Sequence, residues 1–160
     1  MTTIVGHRDG WMVADKRCSF DGSIAPFETT KVRRASGVLI GFAGHPAHAD
    51  FWDEQMAAQA RPDVATARRV MVQPVPHTES GGSHCLLRWT GDLYEINCAG
   101  VAYRVLQDWW VIGTAWLALG FISGALSRGA QVTPALAADA ILFTSRNHTG
   151  TSPDSELFRL

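Results

Sequence analysis

Cysteine is scarce, with only Cys18, Cys85 and Cys98 among 160 residues. An odd number, no CxxC spacing and no secretory leader at the N-terminus point to a reducing, intracellular home, and the cytoplasm is expected. Net charge is nearly absent as well: 14 Lys and Arg stand against 15 Asp and Glu, for a formal −1. Nothing electrostatic draws such a chain to nucleic acid or to an anionic membrane, and neither partner is expected. A membrane span is not expected either. The longest apolar stretch, Trp109 to Leu126, carries no charge and approaches the ~20 residues a spanning helix needs. Gly113, Thr114, Gly120, Ser123 and Gly124 interrupt it. It divides better into a strand ending at Ile112, a Gly113-Thr114 turn and a helix from Ala115 to Ser127. That helix is apolar on every side and needs cover all round, for which a subunit interface is expected.

What is present fits an ordered globular chain: 46% of residues are hydrophobic and 18% charged. At this length one domain over residues 1–160 with a sizeable core is expected. The N-terminal stretch MTTIVGHRDGWMVAD opens with chemistry. If Met1 is removed, Thr2 carries a hydroxyl nucleophile and an amine base on adjacent atoms. Ile4 and Val5 begin a strand, Asp9-Gly10 is a two-residue hairpin signal, and Trp11 to Ala14 returns to end at Asp15. The hairpin therefore brings an acidic group toward the terminus.

Cys18 to Glu28 reads as a loop, with Asp21-Gly22 and Pro26 as turn residues. Lys31 opens a third apolar segment, KVRR, and Val38 to Phe42 forms a fourth that closes at Gly44, where backbone can approach a ligand. His45 to Ala60 reads as a helix, Asp63 to Ala67 as a short helix or a connection, and Val70 to Val75 as a strand. The polar run PHTESGGSH follows. Cys85 to Trp89 and Leu93 to Asn97 form a hairpin about Thr90-Gly91-Asp92, and Ala102 to Leu106 a further strand. Thr133-Pro134 starts the last helix, and the tail from Asn147 to Leu160 either packs on a neighbour or frays. His45 with His48, or His77, His84, Cys85 and Cys98, match no zinc spacing; Cys85, opening an apolar strand, reads as a core residue.

Taken in order, TTIV, the aspartate closing the second strand, KVRR, and GFAG before a small-residue helix resemble bacterial HslV peptidases and proteasome β subunits. The likeness resumes at VIGTAWLALGFISGAL. It implies an α+β fold of the N-terminal nucleophile hydrolase type, a four-layer αββα sandwich. It implies that Thr2 attacks a peptide carbonyl, that Lys31 lowers the proton affinity of the hydroxyl and amine, and that Asp15 holds Lys31 charged. Either charge buried alone would be costly. By the same resemblance the Gly44 amide donates to the oxyanion and the Thr114 hydroxyl bonds the terminal amine. The backbone of Arg17, Cys18 and Ser19 pairs with the peptide substrate as an added strand. Phe42, Cys18 and Pro46 line the pocket for the residue before the scissile bond.

Asp139 falls near a family acidic position, and the carbonyl of Thr144 near a family cation site. A monovalent or divalent cation at that backbone site is the one cofactor considered, and none is required. The partners implied are a homo-oligomeric ring or double ring, peptide or unfolded protein as substrate, and an AAA+ unfoldase. The stretch from Arg61 to Cys85 is short for the family's second long helix, which bears on ring size and on the unfoldase. The expected function is a self-compartmentalising threonine endopeptidase. A noncatalytic ring-forming subunit, or an amidohydrolase acting on a non-peptide amide, are the other readings.

Overall fold

The computed structural model describes residues 2–20, 23–75, 82–148 and 150–160, with backbone alone over 18–20 and 23–27. In chain order the first elements are β1 (Thr3–His7), β2 (Trp11–Asp15), β3 (Arg17–Phe20), β4 (Ser23–Glu28), β5 (Val32–Ala35) and β6 (Val38–Ala43). Helices α1 (Ala47–Ala57) and α2 (Val64–Met71) follow, then β7 (His84–Trp89), β8 (Asp92–Asn97), β9 (Ala102–Arg104) and β10 (Trp109–Gly113). The chain closes with α3 (Ala115–Leu126), α4 (Pro134–Asn147) and β11 (Ser155–Arg159).

Two antiparallel sheets result, one ordered β10-β1-β2-β11 and the other β5-β6-β7-β8-β9, with β3 and β4 paired beside them. Period-two alternation sorts the side chains of each strand. Ile4, Met12, Ala14 and Ile112 of the first sheet meet Leu39, Ala43, Leu86 and Leu93 of the second. Val5, Val13 and Val111 turn the other way, onto Ala118 and Ile122 of α3 and Ala137 and Ile141 of α4. On the far side Ile40, Phe42, Cys85 and Leu87 pack against Ala49 and Trp52 of α1 and Val70 of α2. The layers are thus helix, sheet, sheet, helix, as the resemblance implied. Because both faces of β1 and β2 are covered, every residue of β2 is buried, and each large apolar side chain so placed contributes about 1.5–3 kcal/mol.

Three local expectations need correction. The loop expected from Cys18 to Glu28 contains a hairpin, with Arg17 opposite Glu28 and Phe20 opposite Ser23. Of the strand expected from Val70 to Val75, Val70 and Met71 instead end α2, Val72 caps it, and residues 73–75 form no strand. Asp63 caps that helix by accepting from the Thr66 amide, and Val70 and Met71 fill its buried face. Helix α3, whose full cover was expected from a subunit interface, buries Ala118, Ile122 and Ala125 within the single chain and leaves Trp116 67% exposed. The tail pairs with its own sheet, Ser155 opposite Asp15 and Arg159 opposite Trp11. No helix among the described residues is long and apolar enough to cross a membrane.

Candidate active site

The end of β2 delivers Asp15 into a buried position where four donors converge. Oδ1 accepts from the amide of Thr3 at 2.6 Å. Oδ2 accepts from Lys31 Nζ at 2.8 Å and from the amides of Arg17 and Ser152, each at 3.2 Å. The Asp15 side chain is 0% exposed and that of Lys31 5%. A carboxylate and an ammonium so buried persist only as a pair with further hydrogen bonds, which the three amides supply. One carboxylate therefore ties the start of β1 to the residue that opens β5. The Lys31 carbonyl accepts from the Phe42 amide at 2.9 Å, anchoring Lys31 to β6.

Thr2 precedes β1 and is 8% exposed. Its carbonyl accepts from the Thr114 amide at 2.6 Å, and it lies where a Cβ on Gly113 would be, 1.8 Å from that point. Gly113 has φ +86°, a left-handed conformation that favours glycine independently of the lack of space. The methyl of Ala43 borders the same spot, so the end of β6 also faces Thr2. Thr114 precedes α3 without capping it by its side chain. Its buried hydroxyl has no hydrogen-bond partner among the described residues.

Gly44 follows β6 with φ +117°, and a Cβ there would sit 2.5 Å from Ser83 Oγ. That hydroxyl accepts from the His45 amide at 3.0 Å, so Ser83 fixes the turn carrying Gly44. His48, in the first turn of α1, is buried. Burial lowers its pKa below the usual histidine value, and its ring nitrogens have no hydrogen-bond partner among the described residues.

The other expected residues are distributed as follows. Arg17 stands at the start of β3, whose one ladder partner among the described residues is β4. The side chains of Cys18 and Ser19, and all of His77, lie outside the described residues. Phe42 packs in the α1–α2 core with Ala49 and Trp52, not in the inter-sheet cluster around Ala43. Thr144 is buried in α4 with its hydroxyl on the Ala140 carbonyl at 2.8 Å. Asp139 is exposed on the same helix. No three His, Cys, Asp or Glu among the described residues are grouped to hold a metal ion.

No family model matches the sequence, and no curated protein matches it significantly. Solved structures do match it. HslV from Trypanosoma brucei superposes with a TM-score of 0.71 at 18% identity, covering 99% of this chain and 100% of that one. Anbu, an ancestral beta-subunit from Yersinia bercovieri, gives 0.76 at 15% identity over 98% of this chain and 80% of its own. BPH from Thiobacillus denitrificans in complex with epoxomicin gives 0.75 at 13%, covering 100% and 98%. The chain has the HslV-like N-terminal nucleophile hydrolase fold.

Within that HslV-like fold the sequence reading missed the segment between α4 and β11. Ser152 donates its amide to Asp15, and Thr151 Oγ1 lies 3.1 Å from Thr3 Oγ1. The run TGTSPD signals only a turn. A backbone donor carries no residue signature, so nothing in the sequence points to Ser152. Ser83 was likewise hidden, inside a Gly- and Ser-rich run.

Proposed function

We propose that this chain is an N-terminal threonine peptidase whose nucleophile is Thr2 after removal of Met1. The observation that carries the reading is the shared carboxylate of Asp15, which binds the Thr3 amide and Lys31 Nζ at once and so joins the candidate nucleophile's strand to a buried cation. The Thr2 hydroxyl gives its proton to the freed α-amine, whose reference pKa of ~7.7–8.0 suits a base at neutral pH, and Oγ attacks the carbonyl carbon. Lys31 stabilises the developing alkoxide. The Gly44 amide receives the oxyanion, a role worth about 3–4 kcal/mol for one fixed donor. As the C–N bond breaks, the ammonium returns its proton to the leaving nitrogen. Water then hydrolyses the Thr2 ester by the same route in reverse.

The hydroxyl of Thr114, without a hydrogen-bond partner among the described residues, suits the amine that would appear beside it. The pairing of β3 with β4 as its one ladder partner among the described residues suits a peptide added as a strand along Arg17, Cys18 and Ser19. Assembly into a ring is part of the proposal, supported by the exposed Trp116 of α3 and Phe143 of α4.

The test is intact mass of the purified protein together with capture by an N-terminal-threonine-directed electrophile, mapped to its residue. Epoxomicin, seen bound to BPH, is a suitable probe. Loss of Met1 and an adduct on Thr2 are expected. A chain that keeps Met1 and takes no adduct would be a noncatalytic subunit on the same fold.

A further inference from the structure

A second polar network crosses the gap between the sheets on the other side of Thr2, and the chemistry proposed above does not use it. Glu95 of β8 receives Trp110 Nε1 from β10 of the facing sheet at 2.6 Å, and its other oxygen lies 3.0 Å from His84 Nδ1. His84 opens β7 directly opposite Ala43. Opposed residues on one face hold their Cβ atoms ~4.5–5.5 Å apart. Since Ala43 borders the Thr2 carbonyl, the network begins one side chain away from the candidate nucleophile. The order β10-β1-β2-β11 sets Asp15 on one side of β1 and Trp110 on the other.

Beyond Glu95 lies a cavity of about 490 Å³, walled by Tyr103, Val105, Leu106 and Trp110. One carboxylate stands there among apolar and aromatic surfaces, with Arg104 and Gln107 completing the lining. The hydrogen bonds from His84 and then Trp110 hold the Glu95 carboxyl below its usual pKa, outweighing burial. Each carboxylate oxygen keeps a free lone pair after those two bonds. Arg104 on the rim is engaged by Asp92 at 2.9 Å rather than by Glu95.

We propose that this cavity is a subsite for a lysine or arginine side chain in the substrate segment that follows the scissile bond. The inference rests on the peptidase reading. A peptide held along β3, on the Asp15 side, crosses Thr2 and leaves over β10, so only its C-terminal part meets the cavity. Trp110 stands three residues before Gly113 in β10, about 10 Å along the strand. The second residue after the scissile bond, with a long side chain, covers that distance. Its apolar stem packs on Val105 and Leu106, and its charged head meets Glu95 and the indole face.

Two internally quenched peptides that differ only in lysine or glutamate at that second position provide the test. The wild-type protein favours lysine about tenfold in kcat/KM, and Glu95→Gln brings the ratio near one. Any general loss of stability acts on both substrates and cancels in the ratio. Tyr103→Lys, at an exposed wall position, lowers the same ratio about threefold or more by repulsion and leaves the hydrogen bonds of Glu95 to His84 and Trp110 intact. A wild-type ratio near one, or a ratio that Glu95→Gln leaves unchanged, overturns the inference. A binding arm separates this outcome from failure of the peptidase reading: Thr2→Ala protein is titrated with the same two peptides. Preference for lysine there, lost with Glu95→Gln, supports the subsite even if the wild type cleaves neither peptide; equal binding refutes it.

Discussion

Replacing Lys31 with methionine removes an ammonium that lies 2.8 Å from Asp15, in a place where the two side chains are 5% and 0% exposed. Methionine keeps most of the volume, so the perturbation is electrostatic. Removing one member of a buried pair costs about 3–5 kcal/mol when the remaining charge is left alone. Asp15 here keeps three amide donors, from Thr3, Arg17 and Ser152, which places the expected cost at or below the lower end, about 2–3 kcal/mol. Changing Asp15 to asparagine in the same protein removes the stranded charge, and the double variant should be more stable than the sum of the two single losses by about 1 kcal/mol or more. Activity behaves differently. Both the single and the double variant lose the cation that stabilises the nucleophile, so reaction at Thr2 falls about a hundredfold or more in each, the rate equivalent of ~3 kcal/mol. Urea unfolding gives the stabilities and electrophile capture gives the rates. Additive stabilities, or a Lys31→Met protein reacting at the wild-type rate, would refute the reasoning.

Three other outcomes are expected. Gly113→Ala puts a Cβ 1.8 Å from the Thr2 carbonyl at a positive φ, so thermal unfolding should show a loss above about 2 kcal/mol together with slower adduct formation. Burial lowers the pKa of His48 in the folded chain. Its stabilising effect is therefore complete above the unfolded value of ~6.5 and is lost as pH falls through the lower folded value, and urea midpoints in wild type and His48→Phe should show a shallower acid loss in the variant. Burial, with a smaller contribution from Glu95, pushes the Cys85 thiol well above its usual pKa. Cys98 is exposed, so alkylation at neutral pH mapped by mass spectrometry should label Cys98 long before Cys85.

Much of the fold could be read where local signals agreed with tertiary demand. Asp9-Gly10 and Thr90-Gly91 sit between apolar runs and mark their hairpins. Thr133 and Pro134 mark a helix start, and the Thr133 hydroxyl accepts from the Leu136 amide. The reading failed where these signals competed. Val70 and Met71 look like the start of a strand, yet the Asp63 cap and the buried face of Ala67, Val70 and Met71 make a helix of the segment. Asp21-Gly22 and Pro26 read together as the turn residues of a loop, which hid the pairing of β3 with β4. SELFR is too short to announce a strand and becomes one only on meeting β2, some 140 residues earlier in the chain.

The candidate site divides in the same way. Asp15 and Lys31 lie in ordered motifs near strand ends, and the resemblance of those motifs to HslV peptidases made them legible. Ser152 acts through its amide, and Ser83 acts by filling the space beside Gly44. Such roles depend on three-dimensional approach and leave no mark on residue type. Glu95 and His84 stand on neighbouring strands, two residues from Leu93 and Leu86 of the inter-sheet cluster, and no local signal announces that Trp110 of the other sheet reaches Glu95.

The most direct test is mass spectrometry of the protein before and after treatment with epoxomicin, with the modified residue located by fragmentation. The account predicts a chain beginning at Thr2, one adduct at that residue, and neither adduct nor peptide cleavage in Thr2→Ala. A mature chain that retains Met1, or full peptide hydrolysis surviving in Thr2→Ala, would contradict it.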